Sequence, residues 1–484
     1  MNYRMIISTI SQLLRVEAAL MLLPVFVSLY YHENIEYVFI MVIVALFLVS
    51  LISGLIKPRN KKIFAKDGFV IVALSWILMS FFGCLPFFIS GAIPNIIDAF
   101  FETVSGFTTT GATILVDIES LPKSILFWRS FTHWLGGMGV IVFVLAILPH
   151  KDMQSMHVLR AEVPGPSVGK IVSKTMVTAR ILYMLYFLLT FMEALLLCIG
   201  KVPLFDSVNI ALSTAGTGGF AIKNASIAAY DNLYMEIIIT IFMILFGINF
   251  NLFYLLLIKQ FKRAFKSEEL CTYLTIVVAC TLVIAFNIYT TVDNITTFGS
   301  ALRQSSFTVA AIISTTGFVT ADFDLWPSLS KTIIVILMFI GGMAGSTGGG
   351  LKVARVMILL KSAYNEVKKT LNPRVVRTIK IDGAIIDAET VKAANSYFII
   401  YFLILLISTL LVSLNGLDFA TTLTSVITCL NNVGPGLSKV GPVCNYSGLS
   451  YLTKLVLIFD MLAGRLEIFP IIILLSPSSW KKNR

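Results

Sequence analysis

Residues 98–113 read DAFFETVSGFTTTGAT, an apolar, small-residue stretch that ends in polar residues and then a glycine. The pattern returns as FDSVNIALSTAGTGGF (205–220), FGSALRQSSFTVAAIISTTGF (298–318) and DFATTLTSVITCLNNVGPG (418–436). The closing glycines, Gly111, Gly218, Gly317 and Gly434, are 107, 99 and 117 residues apart. Self-similarity at such a period marks an internal repeat, and overlooking it would misassign the fold. Each copy is shorter than the roughly 20 apolar residues that cross a bilayer. With its Thr, Ser and Gly content it fits a re-entrant segment better than a loop or a span.

The surrounding chain supports that reading. Of its 484 residues 57% are hydrophobic and 13% charged, and its mean hydropathy is +0.89, values that no soluble domain of this length reconciles with its surface. Apolar spans are predicted near 15–31, 36–56, 68–91, 124–148, 176–199, 232–258, 270–291, 329–360, 392–414 and 450–475. One span precedes and one follows each short segment, so the unit is helix, short re-entrant helix, extended turn, helix. The fold class expected is an all-α polytopic membrane protein. Four such repeats (67–160, 161–266, 267–370 and 371–484) surround a pseudo-fourfold axis, and an additional N-terminal helix pair occupies 1–66. Arg4 and Arg15 precede an apolar run without a small-residue cleavage site, so the first segment is expected to stay as a helix.

Lys and Arg in short loops are held on the cytoplasmic side. The loops after even-numbered spans carry Lys57, Arg59, Lys61, Lys62 and Lys66, then Lys151, Arg160, Lys170 and Lys174, then Lys259, Lys262, Arg263 and Lys266, then Lys361, Lys368, Lys369, Arg374, Arg377 and Lys380. The C-terminal tail adds Lys481, Lys482 and Arg484. The alternate loops are acidic, with Glu33, Glu36, Asp117, Glu119, Asp231, Asp322 and Asp324 among their residues. Both termini are therefore expected in the cytoplasm. The net charge of +11 follows from this sorting and from anionic lipid on that face, not from nucleic-acid binding. An acidic outer mouth would concentrate cations.

Non-helical backbone at membrane depth survives only where protein or water satisfies its polar groups. Four copies around an axis would turn four sets of carbonyls inward, and such rings replace the hydration shell of a monovalent cation. Glycine permits the dihedrals this requires, and the C-terminal ends of the short helices, each with roughly half a negative charge, would face the cavity below. The expected ion-binding residues, acting largely through backbone carbonyls, are Thr109, Thr110 and Gly111; Thr217 and Gly218; Thr315, Thr316 and Gly317; and Asn432, Val433 and Gly434. Asp98, Asp206 and Asp418 stand where helix N-caps belong.

In the second helix of each unit, WLGGMG (134–139), LFGINF (245–250), FIGGMAG (339–345) and MLAGRLE (461–467) fall about 24 to 30 residues beyond the closing glycine. The position after the small pair is Met138, Asn249, Met343 and Arg465. A permanent cation at mid-membrane costs about 2.5–3.5 kcal/mol on insertion scales, so Arg465 is expected to face water or backbone acceptors. Glu467 and Asp460 are poorly placed to reach it along the helix, and carbonyls of GGMAGSTGGG (341–350) are better candidates. That run offers two overlapping GxxxG spacings, a helix-packing face. Its triple glycine nevertheless favours a break, since each glycine costs about 1 kcal/mol of helix propensity. The resulting hypothesis is a gate beneath the turns: a loop containing Gly345, Ser346, Thr347, Gly348, Gly349 and Gly350, held by Arg465.

The four segments ending TTTG, STAGTGG, STTG and NNVG, with FWRSFTHWLGGMG (127–139), RAEVPGP (160–166), GGMAGSTGGGLKVARV (341–356) and AGRLEIFP (463–470), make the chain resemble the Trk/Ktr/HKT superfamily of potassium transporters. The likeness is specifically to Trk-type potassium uptake membrane subunits (TrkH/TrkG-like) and covers essentially the whole chain. It implies potassium uptake across a bacterial plasma (inner) membrane, with K+ as the transported ion and no organic cofactor. It also implies a homodimer and a cytosolic nucleotide-binding regulatory subunit of the TrkA-like, RCK type. In that family a serine at the first filter glycine goes with sodium permeation; Gly111 here favours potassium. The turns lack the TVGYG run of potassium channels, so fewer carbonyl layers are expected.

Other signals are weaker. GPSVGK (165–170) and GSTGGGLK (345–352) miss the spacing and the Ser or Thr of a phosphate cradle. Glu193 is an intramembrane acid that could relay protons or be buried for structure. The four histidines are scattered, Arg129 and Arg303 read as structural ties, and none of the six cysteines shows CxxC spacing. A sodium- or proton-coupled symporter or antiporter is the alternative, but an antiporter would carry inverted halves and several intramembrane acids. An enzyme would need a paired nucleophile and base. The basic segment 361–392 could dock a soluble regulator, although positive-inside sorting explains it equally well.

Overall fold

The computed structural model describes residues 1–56, 64–139, 175–373 and 378–480. Several sequence expectations lie outside the described residues: Lys57, Arg59, Lys61, Lys62, Lys151, Arg160, Lys170, Lys174, Arg374, Arg377, Lys481, Lys482, Arg484, His150, His157, RAEVPGP, GPSVGK and the far half of the span 124–148.

Among the described residues, six helical stretches are continuous, long and apolar enough to cross a membrane: Tyr3–Tyr31, Glu36–Gly54, Lys66–Ile89, Arg180–Ile199, Glu268–Thr291 and Ala388–Ser413. The last four are the first helices of the repeats. The second helices are not straight spans. Lys123–Gly137 ends at its glycine pair, and Leu233–Phe246 and Phe250–Leu257 meet at 93°. Ser328–Ile340 and Val353–Leu371 flank a non-helical stretch, and Tyr451–Arg465 is separated from Phe469–Leu475 by a short break. The single spans expected over 232–258, 329–360 and 450–475 are thus each interrupted. Every interruption falls at the small-residue position singled out by sequence, where glycine lowers helix propensity and the freed backbone groups meet protein partners rather than lipid.

Between the spans lie four short helices, Ile96–Phe107, Leu204–Gly216, Phe298–Ile313 and Phe419–Leu430. Asn95, Thr297 and Asp418 cap the first, third and fourth by accepting from Ile97, Ser300 and Thr421 backbone N–H groups. Hydrogen bonds from Thr421 hold the Asp418 carboxyl below its ordinary range. The caps expected at Asp98 and Asp206 are not caps; both lie in the first helical turn, where Asp98 meets Lys454 at 2.7 Å and Asp206 accepts from the Tyr230 hydroxyl at 2.7 Å.

The packing order closes a ring. Each short helix contacts the first and second helices of its own repeat and the second helix of the preceding one; the first repeat's short helix packs on Tyr451–Arg465 of the fourth. The N-terminal pair lies outside this ring against the first repeat. Its helices are clipped together by Ser11, which donates to Ser50 O at 2.8 Å, and by Arg15, which donates to Ser50 Oγ at 2.7 Å.

Three ion pairs tie the short helices to their neighbours. Lys454–Asp98 joins repeats four and one, and Arg303–Glu236 joins three and two at 2.7 Å. Arg129–Glu102, at 2.6 Å, is almost fully buried within repeat one. Glu102 also accepts from Ile114 N at 2.9 Å and from Thr113 Oγ1, while Arg129 donates to Ala221 O at 2.7 Å, so the pair pins the chain that follows two successive turns. Removing one partner of a buried pair strands the other charge. Glu102→Ala is expected to cost roughly 3–5 kcal/mol, read as a lowered thermal-unfolding midpoint of the solubilised protein; an unchanged midpoint contradicts this.

Candidate functional site

Each short helix ends in the same way. Thr109, Thr217, Thr315 and Asn432 take the left-handed conformation, with φ of 56°, 54°, 60° and 53°. The next residue in each case, Thr110, Gly218, Thr316 or Val433, donates its N–H five residues back to Ser105, Ser213, Ala311 or Thr428, at 2.8–3.0 Å. This is the Schellman termination, which usually places glycine at the left-handed position. Three of these four residues are threonine, whose branched Cβ makes that region strained, at about 1–3 kcal/mol each. Strain kept at equivalent places in one ring points to a use for those hydroxyls.

The second residue after the left-handed one is a glycine with positive φ: Gly111 at 77°, Gly219 at 77°, Gly317 at 74° and Gly434 at 98°. In the second repeat this is Gly219, one place beyond the Gly218 expected from the sequence. Gly218 holds the position of Thr110, Thr316 and Val433. The adjacent pair TGG concealed the register, and aligning on Thr-x-Gly (Thr217–Gly219 with Thr109–Gly111 and Thr315–Gly317) would have found it.

These glycines also lack room for a side chain. A Cβ on Gly111 would stand 1.9 Å from the Gly218 carbonyl oxygen, on Gly219 2.0 Å from that of Thr316, on Gly317 2.1 Å from that of Val433, and on Gly434 2.7 Å from that of Thr110. The four contacts run from repeat to repeat and return to the start, giving a closed ring of four carbonyls against four glycines. On one side the glycines line a common open cavity with Thr113 and Tyr446. On this side the Tyr446 hydroxyl donates to Gly434 O at 2.8 Å, and Tyr446 N donates to Thr113 O at 2.8 Å.

The opposite side is occupied by the interruption of the third repeat, which runs from Gly341 to Lys352, two residues longer than expected. Gly349 N donates to the Thr315 hydroxyl at 2.7 Å. Gly348 and Gly349 are pressed against the ends of the third and fourth short helices, where added Cβ atoms would meet Ser314 O at 2.8 Å and Asn431 O at 2.3 Å. The loop is tied further by Met343 N to Gly247 O at 2.9 Å, Phe250 N to Gly345 O at 3.1 Å and Ala344 N to the Glu269 carboxylate at 2.7 Å.

Arg465 joins three repeats beneath the ring. It donates to Thr347 O of the loop at 2.7 Å, to the Thr109 hydroxyl at 3.2 Å and to the carbonyls of Gly136 and Gly137. Glu467 turns away and pairs with Arg355. Lys352, absent from the sequence-based site, is buried with a φ of 74° and donates to Gly348 O. A lysine closing the glycine run was the signal for it. Glu193 is fully buried in the packing. Among the described residues no group of three His, Cys, Asp or Glu side chains could hold a metal ion. The arrangement brings backbone carbonyls of four repeats into one ring, with donors of the loop and Arg465 below.

Gly219 tests the register. Gly219→Ala combines positive φ with a backbone clash and is expected to cost more than about 1 kcal/mol. Gly448→Ala, where nothing lies within 4 Å, serves as the control. Equal unfolding midpoints for the two solubilised variants would contradict the assignment.

The profile of the TrkH family, described as cation transport protein, matches residues 35–482. The Trk system potassium uptake protein TrkH of Salmonella typhimurium is 37% identical over 492 residues, covering 100% of both chains. Trk system potassium uptake protein TrkG of Escherichia coli is 32% identical over 467 residues, 95% of each chain. Among solved structures, the potassium transporter TrkH from Vibrio parahaemolyticus superposes with a TM-score of 0.89 at 33% identity, covering 99% of this chain and 100% of that one.

Proposed function

The chain belongs to the TrkH family of cation transport proteins, the family of the Trk potassium uptake systems, and from that premise we propose that the four-carbonyl ring is its selectivity filter. The observation that carries this reading is the closed set of contacts in which Gly111, Gly219, Gly317 and Gly434 each leave room only for the carbonyl of the next repeat. Carbonyl rings stand in for the hydration shell of a potassium ion, and in this reading Thr110, Gly218, Thr316 and Val433 supply them. The open side faces the outside of a bacterial inner membrane, and the termini lie in the cytoplasm. Four helix C-terminal ends, each with roughly half a negative charge, then favour a cation just below the filter.

The loop 341–352 and Arg465 form the gate of this pore. In the arrangement described, the Gly349 N–H and the Arg465 guanidinium occupy the Thr315 and Thr109 hydroxyls, oxygens that an entering ion would otherwise meet. The gate is therefore closed by donors standing where cation ligands are needed, and the guanidinium adds like-charge repulsion. Withdrawing the loop has to break the bonds from Arg465 to Thr347 and from Gly349 to Thr315, which suits control by a cytosolic nucleotide-binding subunit acting through the basic helix Val353–Leu371 that continues the loop. Assembly is as a homodimer.

Uptake into proteoliposomes tests this reading. The wild-type protein is expected to prefer potassium and rubidium over sodium. Deleting 345–350, or changing Arg465→Ala, is expected to raise potassium flux about tenfold or more, since a lost charge-assisted hydrogen bond is worth about 1.5–3 kcal/mol and about 1.4 kcal/mol is tenfold. Unchanged or lower flux from folded variants would overturn the gate, and equal potassium and sodium uptake by the wild type would overturn the filter.

A further inference from the structure

Three of the four ring-forming residues carry a branched side chain: Thr110, Thr316 and Val433, all fully buried. Branching at Cβ restricts χ1 and stiffens the local chain. Gly218, their counterpart in the second repeat, has no side chain and sits in the run Gly216-Thr217-Gly218-Gly219, where three of four residues are the most permissive type. Its carbonyl is nevertheless the one that closes on Gly111. The second turn therefore has to draw its rigidity from elsewhere.

The space where a Gly218 side chain would stand is filled from another repeat. A Cβ on Gly218 would lie 1.2 Å from His133 Nδ1 and 2.0 Å from His133 Cε1, so the imidazole occupies that volume. His133 is fully buried, its ring meets Phe220 edge-on at 4.1 Å, and neither ring nitrogen has a hydrogen-bond partner among the described residues. It lies on Lys123–Gly137, one turn from Arg129 and one turn from Gly137, on the same helical face. Arg129 holds Ala221 O at 2.7 Å and stacks over Phe220 at 3.6 Å, and Gly137 lets the helix close on Gly216. One face of the first repeat's second helix thus holds the whole second turn.

We propose that His133 is a selectivity-determining positioning residue: it supplies to Gly218, from across a repeat boundary, the side-chain volume that the other three turns carry themselves. The inference rests on the filter reading given above. With both nitrogens unpartnered, His133 acts through shape, as an apolar wedge that keeps the Gly218 carbonyl in the ring. The substituents on the second turn then govern how well potassium is told from sodium, whereas the other three turns carry a branched side chain at that place themselves.

The test is the potassium-over-sodium uptake ratio in proteoliposomes, a quantity independent of how much active protein is reconstituted. His133→Ala is expected to lower the ratio about tenfold, the equivalent of roughly 1.4 kcal/mol. His133→Leu, which keeps volume but no nitrogen, is expected to keep it. The double variant His133→Ala with Gly218→Thr, which restores the Thr found in repeats one and three, is expected to recover most of the loss. A wild-type ratio in His133→Ala, a ratio in His133→Leu as low as in His133→Ala, or a double variant no better than the single would each overturn the proposal. Should His133→Ala fail to accumulate, the other two variants are compared with the wild type, and a ratio about tenfold below it in either overturns the proposal. A wild-type protein without preference would instead overturn the filter reading on which this rests.

Discussion

The structure depends on glycine–carbonyl contacts that close on themselves. Backbone left without helical partners inside a membrane has to find its hydrogen-bonding and steric complement in protein. Four chain segments solve this together, because no turn is complete without the next one. Gly111 needs the carbonyl of Gly218, Gly219 that of Thr316, Gly317 that of Val433 and Gly434 that of Thr110. A mutual arrangement of this kind has no partial form, so the pairing of repeats and the placing of short helices between second helices follow from it. The left-handed threonines fit the same logic, since strain of this kind persists only where the surroundings over-determine it.

The second helices serve the ring from two levels. Near the cavity side, Arg129, Glu102, Arg303, Glu236, Lys454 and Asp98 fix the short helices and the chain beyond the turns. Below the ring each described second helix ends or breaks, and the freed groups satisfy one another: Gly247 O receives Met343 N, Gly345 O receives Phe250 N, and Gly136 and Gly137 carbonyls receive Arg465. Arg465 is tolerable at that depth because its donors are spent on protein acceptors. Its energetic use and its proposed control of the pore are the same set of bonds.

The sequence made the fold legible wherever a signal recurred. Four short segments in register fixed the repeat, and the glycine run 341–350 disclosed its break because its cost is local. Eliminating Glu467 and Asp460 pointed to one carbonyl partner of Arg465, Thr347 in the run 341–350, but not to those of Gly136 and Gly137 in the first repeat. What escaped was set by contacts beyond the local stretch, most of them across repeats. Gly218 and Gly219 are adjacent and chemically identical, so counting to the first glycine misplaced the register that the spacing from Thr217 preserves. Asp98 and Asp206 resembled caps, yet Lys454 of the fourth repeat draws the first into an ion pair and Tyr230, beyond the turn of the same repeat, draws the second into a hydrogen bond. His133 carried no local signal, because the space it fills belongs to another repeat.

The ring itself is open to direct observation. Crystals or grids of the protein prepared with thallium or rubidium in place of potassium should show the heavy ion on the axis, within coordination distance of the carbonyl oxygens of Thr110, Gly218, Thr316 and Val433. Ion density confined to another part of the molecule, with this ring empty in a transport-competent preparation, would contradict the account.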